Sequence, residues 1–201
     1  MKKLLLIGPI LFIVVVAVLT IVQYDFLRGL GWHPINDPTF DWPSGLALGP
    51  YGIVMTLTFI VSGLLMALLA LRLFLDLKPG PASRAGSTLM MCAGLALACL
   101  SFTTDPTIRD TPATWHGRLH DLSFVFLGLT LMPSMLVLGK AFRDDSRWHS
   151  LGIYSWLTAA LALPTFFLKG AAFYVFLFAV LIWVEVVAWK ITKIHRGVIL
   201  S

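Results

Sequence analysis

Six long apolar runs separated by short polar stretches leave this chain few ways to fold. A helix needs about 20 apolar residues to cross the hydrocarbon of a bilayer. Without water there, every backbone N–H and C=O must be satisfied within the segment. The runs fall at 4–22, 53–71, 88–102, 118–138, 151–168 and 171–189. The composition agrees, with 58% hydrophobic and 12% charged residues and a mean hydropathy of +0.88. Ordinary soluble domains carry about 25% charged residues. We therefore expect an all-α integral membrane bundle of six transmembrane helices, forming one transmembrane domain over residues 1–201 with no separate soluble module.

Met1-Lys-Lys followed by an apolar run is reminiscent of a secretory signal. The run is long for a signal core and no small-x-small cleavage site follows, so an uncleaved first span is expected. Lysine and arginine in short loops favour the cytoplasmic side. With the N-terminus inside, that side carries Lys2, Lys3, Arg72, Lys78, Arg84, Lys140, Arg143, Arg147, Lys190, Lys193 and Arg196, and the other only Arg28, Arg109, Arg118 and Lys169. Both termini are then cytoplasmic. The net charge of +5 reflects this topology rather than nucleic-acid binding, for no basic helix, phosphate loop or aromatic-basic platform is present. Cys92 and Cys99 lie seven residues apart in one run. That is about 10 Å along a helix, beyond the roughly 7 Å Cα limit for a disulfide, so two buried free thiols are expected.

The face opposite most of the lysines and arginines holds the chemistry. Two connections, 23–52 and 103–121, carry Asp25, Asp37, Asp41, Asp105, Asp110 and Asp121 together with His33, His116 and His120. Ionisable groups beside hydrocarbon are costly and point to function. His116 and His120 are spaced i, i+4, so a helix starting near Thr114 puts both rings on one face. They either cap that helix and bond the adjoining loop, or chelate zinc, or relay protons near neutral pH. The zinc-protease glutamate is missing, since Gly117, Arg118 and Leu119 lie between them. A third metal ligand would come from Asp105, Asp121, His33, Asp37 or Asp41. Asp105 precedes Pro106, which favours a turn at the end of the third span. Its other role is to pair with Arg118 or to orient a histidine. Arg109 and Arg118 are either interfacial arginines balanced by nearby aspartates or planar forks for an anionic headgroup, with Trp115 beside them. The loop Trp32–Ser44, rich in proline and aromatics, either rests on lipid or folds over the bundle and brings His33, Asp37 and Asp41 towards His116 and His120. Glu185, inside the last run, either snorkels or pairs near Lys190, or couples to a proton. Ala93, Gly94, Ala96 and Ala98 in the third run read as close helix packing.

The stretch Ser44–Gly63, then Phe102-Thr-Thr-Asp-Pro, then His116-Gly-Arg-Leu-His120 resembles the bacterial membrane family catalogued as domain of unknown function 998. The resemblance runs from about Trp42 to the C-terminus and implies about six spans in a bacterial cytoplasmic membrane. Members often show Phe-Pro-x-Asp where this chain has Phe102-Thr103-Thr104-Asp105, lacking the proline. The layout is similar to that of the Frag1, DRAM and Sfk1 membrane proteins, which are linked to lipid organisation. A weaker similarity, to seven-span zinc amidases, lacks their second His-x-x-x-His, because the last span has no histidine before His195.

Three functions are therefore in play. The leading one is binding of lipid or a small amphiphile at the extracytoplasmic polar site, with Arg109, Arg118, Trp115, His33, Asp37 and Asp41 as contacts and membrane lipids as partners. The second is a metal-dependent intramembrane hydrolase of a lipid amide or ester, with His116, His120 and Asp105 as catalytic or zinc-binding residues. The third is a proton-coupled transporter, weakened by the lack of inverted repeats. The oligomeric state is not legible in the sequence.

Overall fold

The computed structural model describes residues 2–33, 43–106, 112–168 and 171–197. A short 3₁₀ turn, Lys2–Leu6, leads into α1 (Ile7–Val22), followed by α2 (Tyr24–Gly29), a 3₁₀ turn at Ser44–Leu48, α3 (Gly52–Asp76), α4 (Pro81–Cys99), α5 (Trp115–Arg143), α6 (Ser150–Phe166) and α7 (Ala171–Gly197). Five helices are long and apolar enough to cross a membrane, and α6, with 17 residues, is apolar but shorter. The all-α, multi-helix membrane architecture agrees with the sequence reading, with five candidate spans among the described residues where six are expected.

The third long helix, α4, differs from that reading at both ends, and α3, α5 and α7 run past the expected spans. The third helix begins at Pro81 rather than near Thr88. Proline is well placed in a first helical turn, where its missing N–H would have no partner, so Pro79-Gly-Pro81 starts the helix as well as making the turn. The same helix ends at Cys99 rather than Phe102, which leaves Asp105 beyond it in an extended stretch. Within the first polar connection, α2 was not anticipated; its six residues are too few for a periodic pattern to show.

The long helices pack as a ring. Going round, α1 meets α3, α3 meets α4, α4 meets α5, α5 meets α6, α6 meets α7, and α7 returns to α1. The tightest seam is α3 against α4. A Cβ on Gly63 would fall on the Ala98 amide nitrogen and the Gly94 carbonyl oxygen, and one on Gly94 would reach Ala67 N at 2.6 Å and Gly63 O at 2.8 Å. Backbone meets backbone there, as the small residues of the third run led us to expect. Side-chain hydrogen bonds cross other seams: the Ser62 hydroxyl donates to Gly8 O (3.3 Å), Trp156 Nε1 to Leu136 O (2.9 Å), and Trp183 Nε1 to Ser155 Oγ (2.9 Å). Ser62, Ser155 and Trp183 are buried, so the first and last of these bonds satisfy polar groups that would be costly to leave unpaired.

The outside of the ring is apolar: Ile53 is 66% exposed, Leu129 67% and Leu157 65%. Surface of that kind running the length of a bundle belongs in lipid. The cysteines are unpaired as expected, but Cys99 is exposed and Cys92 only half-buried. The expected burial therefore does not hold: an apolar run in a membrane helix has a lipid-facing side as well as a core-facing one.

The two ends of the ring are built differently. At one end, the Asp145 carboxylate accepts from Lys78 N (3.0 Å), Arg147 N (3.1 Å) and Arg147 Nη2 (2.7 Å), and Arg147 also donates to Asp76 O. The Arg147 guanidinium, with the two backbone donors, holds the Asp145 carboxyl below the usual range. At the other end, Gln23 is buried and its amide bridges the chain, donating to Leu46 O and accepting from Tyr51 N, both at 3.2 Å. This clamp docks the 3₁₀ turn Ser44–Leu48 onto the ring.

Candidate functional site

The polar connection between α4 and α5 is organised by backbone carbonyls. The last carbonyls of a helix lack intrahelical partners, and α4 ends in such a group at Leu100. His120 supplies the donor: its Nδ1 lies 3.0 Å from Leu100 O and 2.8 Å from Phe102 O. A carbonyl only accepts, so Nδ1 carries the proton. In the neutral ring Nε2 is then an acceptor, and it faces the Ser44 hydroxyl at 2.9 Å. His120 is 4% exposed and sits edge-on to Phe59.

One turn earlier, His116 Nδ1 lies 2.8 Å from Thr103 O and 3.0 Å from Thr114 Oγ1. Both histidines therefore face the segment that follows α4, as their i, i+4 spacing requires. Thr114 starts α5: its Oγ1 accepts from Gly117 N (3.1 Å), a standard N-cap contact. Its hydroxyl donates to Asp105 Oδ1 (2.7 Å), and its amide to Asp105 Oδ2 (2.9 Å). Asp105 is buried at 8% exposure. Its carboxylate lies against Gly117, where any Cβ would collide with it. Asp105 thus orders the start of the helix through Thr114, and Thr114 touches His116 in turn.

The other sequence candidates are dispersed. Trp115 is 69% exposed and packs edge-on to His116 (5.6 Å between ring centres) and Phe102 (6.2 Å). Arg118 is exposed on α5. His33 follows α2 and its Nδ1 accepts from Arg28 Nη1 at 2.6 Å, so its described contact is local. Arg109, Asp37 and Asp41 lie outside the described residues, as do Asp110 and Lys169. Among the described residues no three histidine, cysteine or acidic side chains gather to hold a metal. Nδ1 of each histidine points to a carbonyl, His120 Nε2 to Ser44, and the Asp105 oxygens to Thr114, so these atoms are engaged within the protein. In α7, Glu185 is half-buried, and its Oε2 has no hydrogen-bond partner among the described residues.

Sequence reasoning did not single out Ser44, although it falls in the stretch that carries the family resemblance. The signal was thin: a hydroxyl after Pro43 at the end of a polar loop. Gln23 was missed as well, although it is the first amide after a charge-free span and stands where a loop must be tied down.

Ser44 and His120 open onto a cavity of about 130 Å³, whose polar edge also includes Thr104 and Asp121 and whose wall includes Phe12, Phe59, Leu97, Leu127, Phe173, Phe176 and Leu177. A second cavity, of about 70 Å³, lies among α1, α3, α4, α5 and α7 and shares Phe12, Leu97, Leu127, Phe176 and Leu177 with the first. Its other walls are almost wholly apolar, among them Leu69, Leu131 and Val184. Phe176 packs against both Phe166 and Phe173, with ring centres 5.0 and 5.3 Å away, and stiffens one side. The arrangement is a narrow apolar interior under a small polar cap. A family model described as a protein of unknown function, DUF998, matches residues 6–190. No curated protein and no solved structure matches the chain.

Proposed function

The chain belongs to this family of unknown function, and from that premise we propose that it is a multi-pass membrane protein whose bundle binds a lipid or other amphiphile by one acyl chain. The polar end sits at Ser44, Thr104, His120 and Asp121, and the chain descends between α1, α3, α4, α5 and α7. The observation that carries this reading is the pair of cavities with five shared wall residues, polar at one end only. Small-molecule sites are typically apolar with a few placed polar groups, and this one has the polarity of an amphiphile.

We place six spans in the membrane, α6 being the shortest, with both termini in the cytoplasm. Support comes from the distribution of lysine and arginine and from the length of α5. Its 29 residues extend about 43 Å, against about 30 Å of hydrocarbon. His116 and His120, in its first two turns, then lie at the extracytoplasmic interface of a cytoplasmic membrane. Exposed Arg118 and Trp115 are suited to a headgroup there.

Native mass spectrometry of the purified protein tests this. We expect retained adducts with the mass of a lipid or fatty amphiphile, lost in Leu177→Trp, whose indole fills the junction of the two cavities. A wild type that retains nothing, or a Leu177→Trp protein that retains as much, would sink the reading.

A further inference from the structure

We propose that Ser44 and His120 are a nucleophile and its general base, acting on a carboxylic ester of a single-chain amphiphile. This rests on the amphiphile reading of the same cavity. Three observations meet here. The Ser44 hydroxyl lies 2.9 Å from His120 Nε2, within the range for proton transfer. The two carbonyls at Nδ1 fix the tautomer that leaves Nε2 basic, the part played by a carboxylate in a serine triad and here taken by backbone oxygen. Both side chains line the cavity rather than a sealed core.

The step balances as follows. Ser44 Oγ bonds to the ester carbonyl carbon while its proton passes to Nε2. The ester C–O bond then breaks, and the imidazolium returns that proton to the departing oxygen, which leaves as an alcohol. A water molecule attacks the acyl-serine, giving a proton to Nε2. The Oγ–acyl bond breaks, Ser44 regains the proton, and a carboxylic acid is released. Asp121, on the same cavity edge, stabilises the transient imidazolium. The Thr104 hydroxyl, on the same edge, donates to Asp105 O at 3.2 Å and has to turn from it to reach the carbonyl oxygen.

The test uses the full-length protein in detergent and a long-chain alkyl fluorophosphonate, which phosphonylates an activated serine with loss of fluoride. Peptide mapping is expected to place the adduct on Ser44, with none in Ser44→Ala and labelling slowed about 10²–10⁴-fold in His120→Gln. Ser44→Ala loses one half-buried hydroxyl and should stay folded, so it also reports on hydrolysis of a long-chain p-nitrophenyl ester, which should fall to the level of buffer. A photoactivatable alkyl probe is run alongside. If that probe enters the cavity but Ser44 remains unlabelled, or Ser44→Ala still hydrolyses the ester, the dyad is overturned and the binding site stands. If the alkyl probe does not enter at all, the binding reading falls, and the dyad with it.

Discussion

Replacing Gly63 by alanine probes the backbone-to-backbone seam between α3 and α4. The added Cβ would land on Ala98 N and Gly94 O. Both are backbone atoms inside α4, so no rotamer change relieves the clash and the helices must part. A separation of about 1 Å forfeits up to half of the dispersion energy between the atoms that face each other. Overpacking of this kind costs about 1–3 kcal/mol, and the rigid, two-atom contact argues for the upper end. Alanine returns about 1 kcal/mol through its better helix propensity, leaving a net loss of roughly 2 kcal/mol. The control is Gly29→Ala in α2, where nothing lies within 4 Å of the new methyl and the same exchange should stabilise by about 0.4–1 kcal/mol. Unfolding in mixed micelles with increasing SDS, followed by far-UV circular dichroism, measures both. The double variant Gly63→Ala/Gly94→Ala should cost less than the sum of its parts, since helices already parted have room for the second methyl. A Gly63→Ala protein as stable as the wild type would refute the backbone-to-backbone seam. The consequence reaches the site, because α4 carries the Leu100 carbonyl that holds His120.

Two other perturbations bear on the ends of the bundle. Gly117→Ala drives a methyl into the Asp105 carboxylate and should destabilise by about 1–3 kcal/mol, whereas Arg118→Ala, exposed on the next position, should leave stability within about 0.5 kcal/mol of wild type; equal effects would contradict the described packing of Asp105. At the other end, the carboxyl of Asp145 is held below its ordinary range by Arg147. Its contribution to stability is therefore present above the unfolded value of about 3.9 and is lost as pH falls through the lower folded value. Asp145→Asn should remove that acid-range decline from a plot of stability against pH, and an unchanged plot would show that the corner is not held by this charge.

Much of the architecture was legible because hydrocarbon imposes one local solution on every apolar run. The helices, the close packing of Ala93–Ala98 and the shared face of His116 and His120 all follow from period and composition. The ends of the helices were less legible. Pro81 reads equally as a breaker or as a first-turn residue, and only the packing of α4 decides which. The site was less legible still. Asp105 and the two histidines stood out as polar anomalies, but their partners are backbone carbonyls and a threonine hydroxyl, which carry no residue-type signal. Ser44 is 76 positions from His120, and no local pattern connects them. The pairing exists because Gln23 clamps the 3₁₀ turn onto the ring, a long-range bond between an unremarkable amide and two backbone groups.

The central claim is that an acyl chain runs inside the ring, beneath a polar cap at Ser44 and His120. Photocrosslinking with an alkyl chain carrying a terminal diazirine, mapped residue by residue, tests it most directly. The account predicts adducts on the inner walls, at Leu69, Leu131 or Val184. Adducts confined to the outer face, at Ile53, Leu129 and Leu157, would mean that the probe met the protein only as a solvent does and would contradict the account.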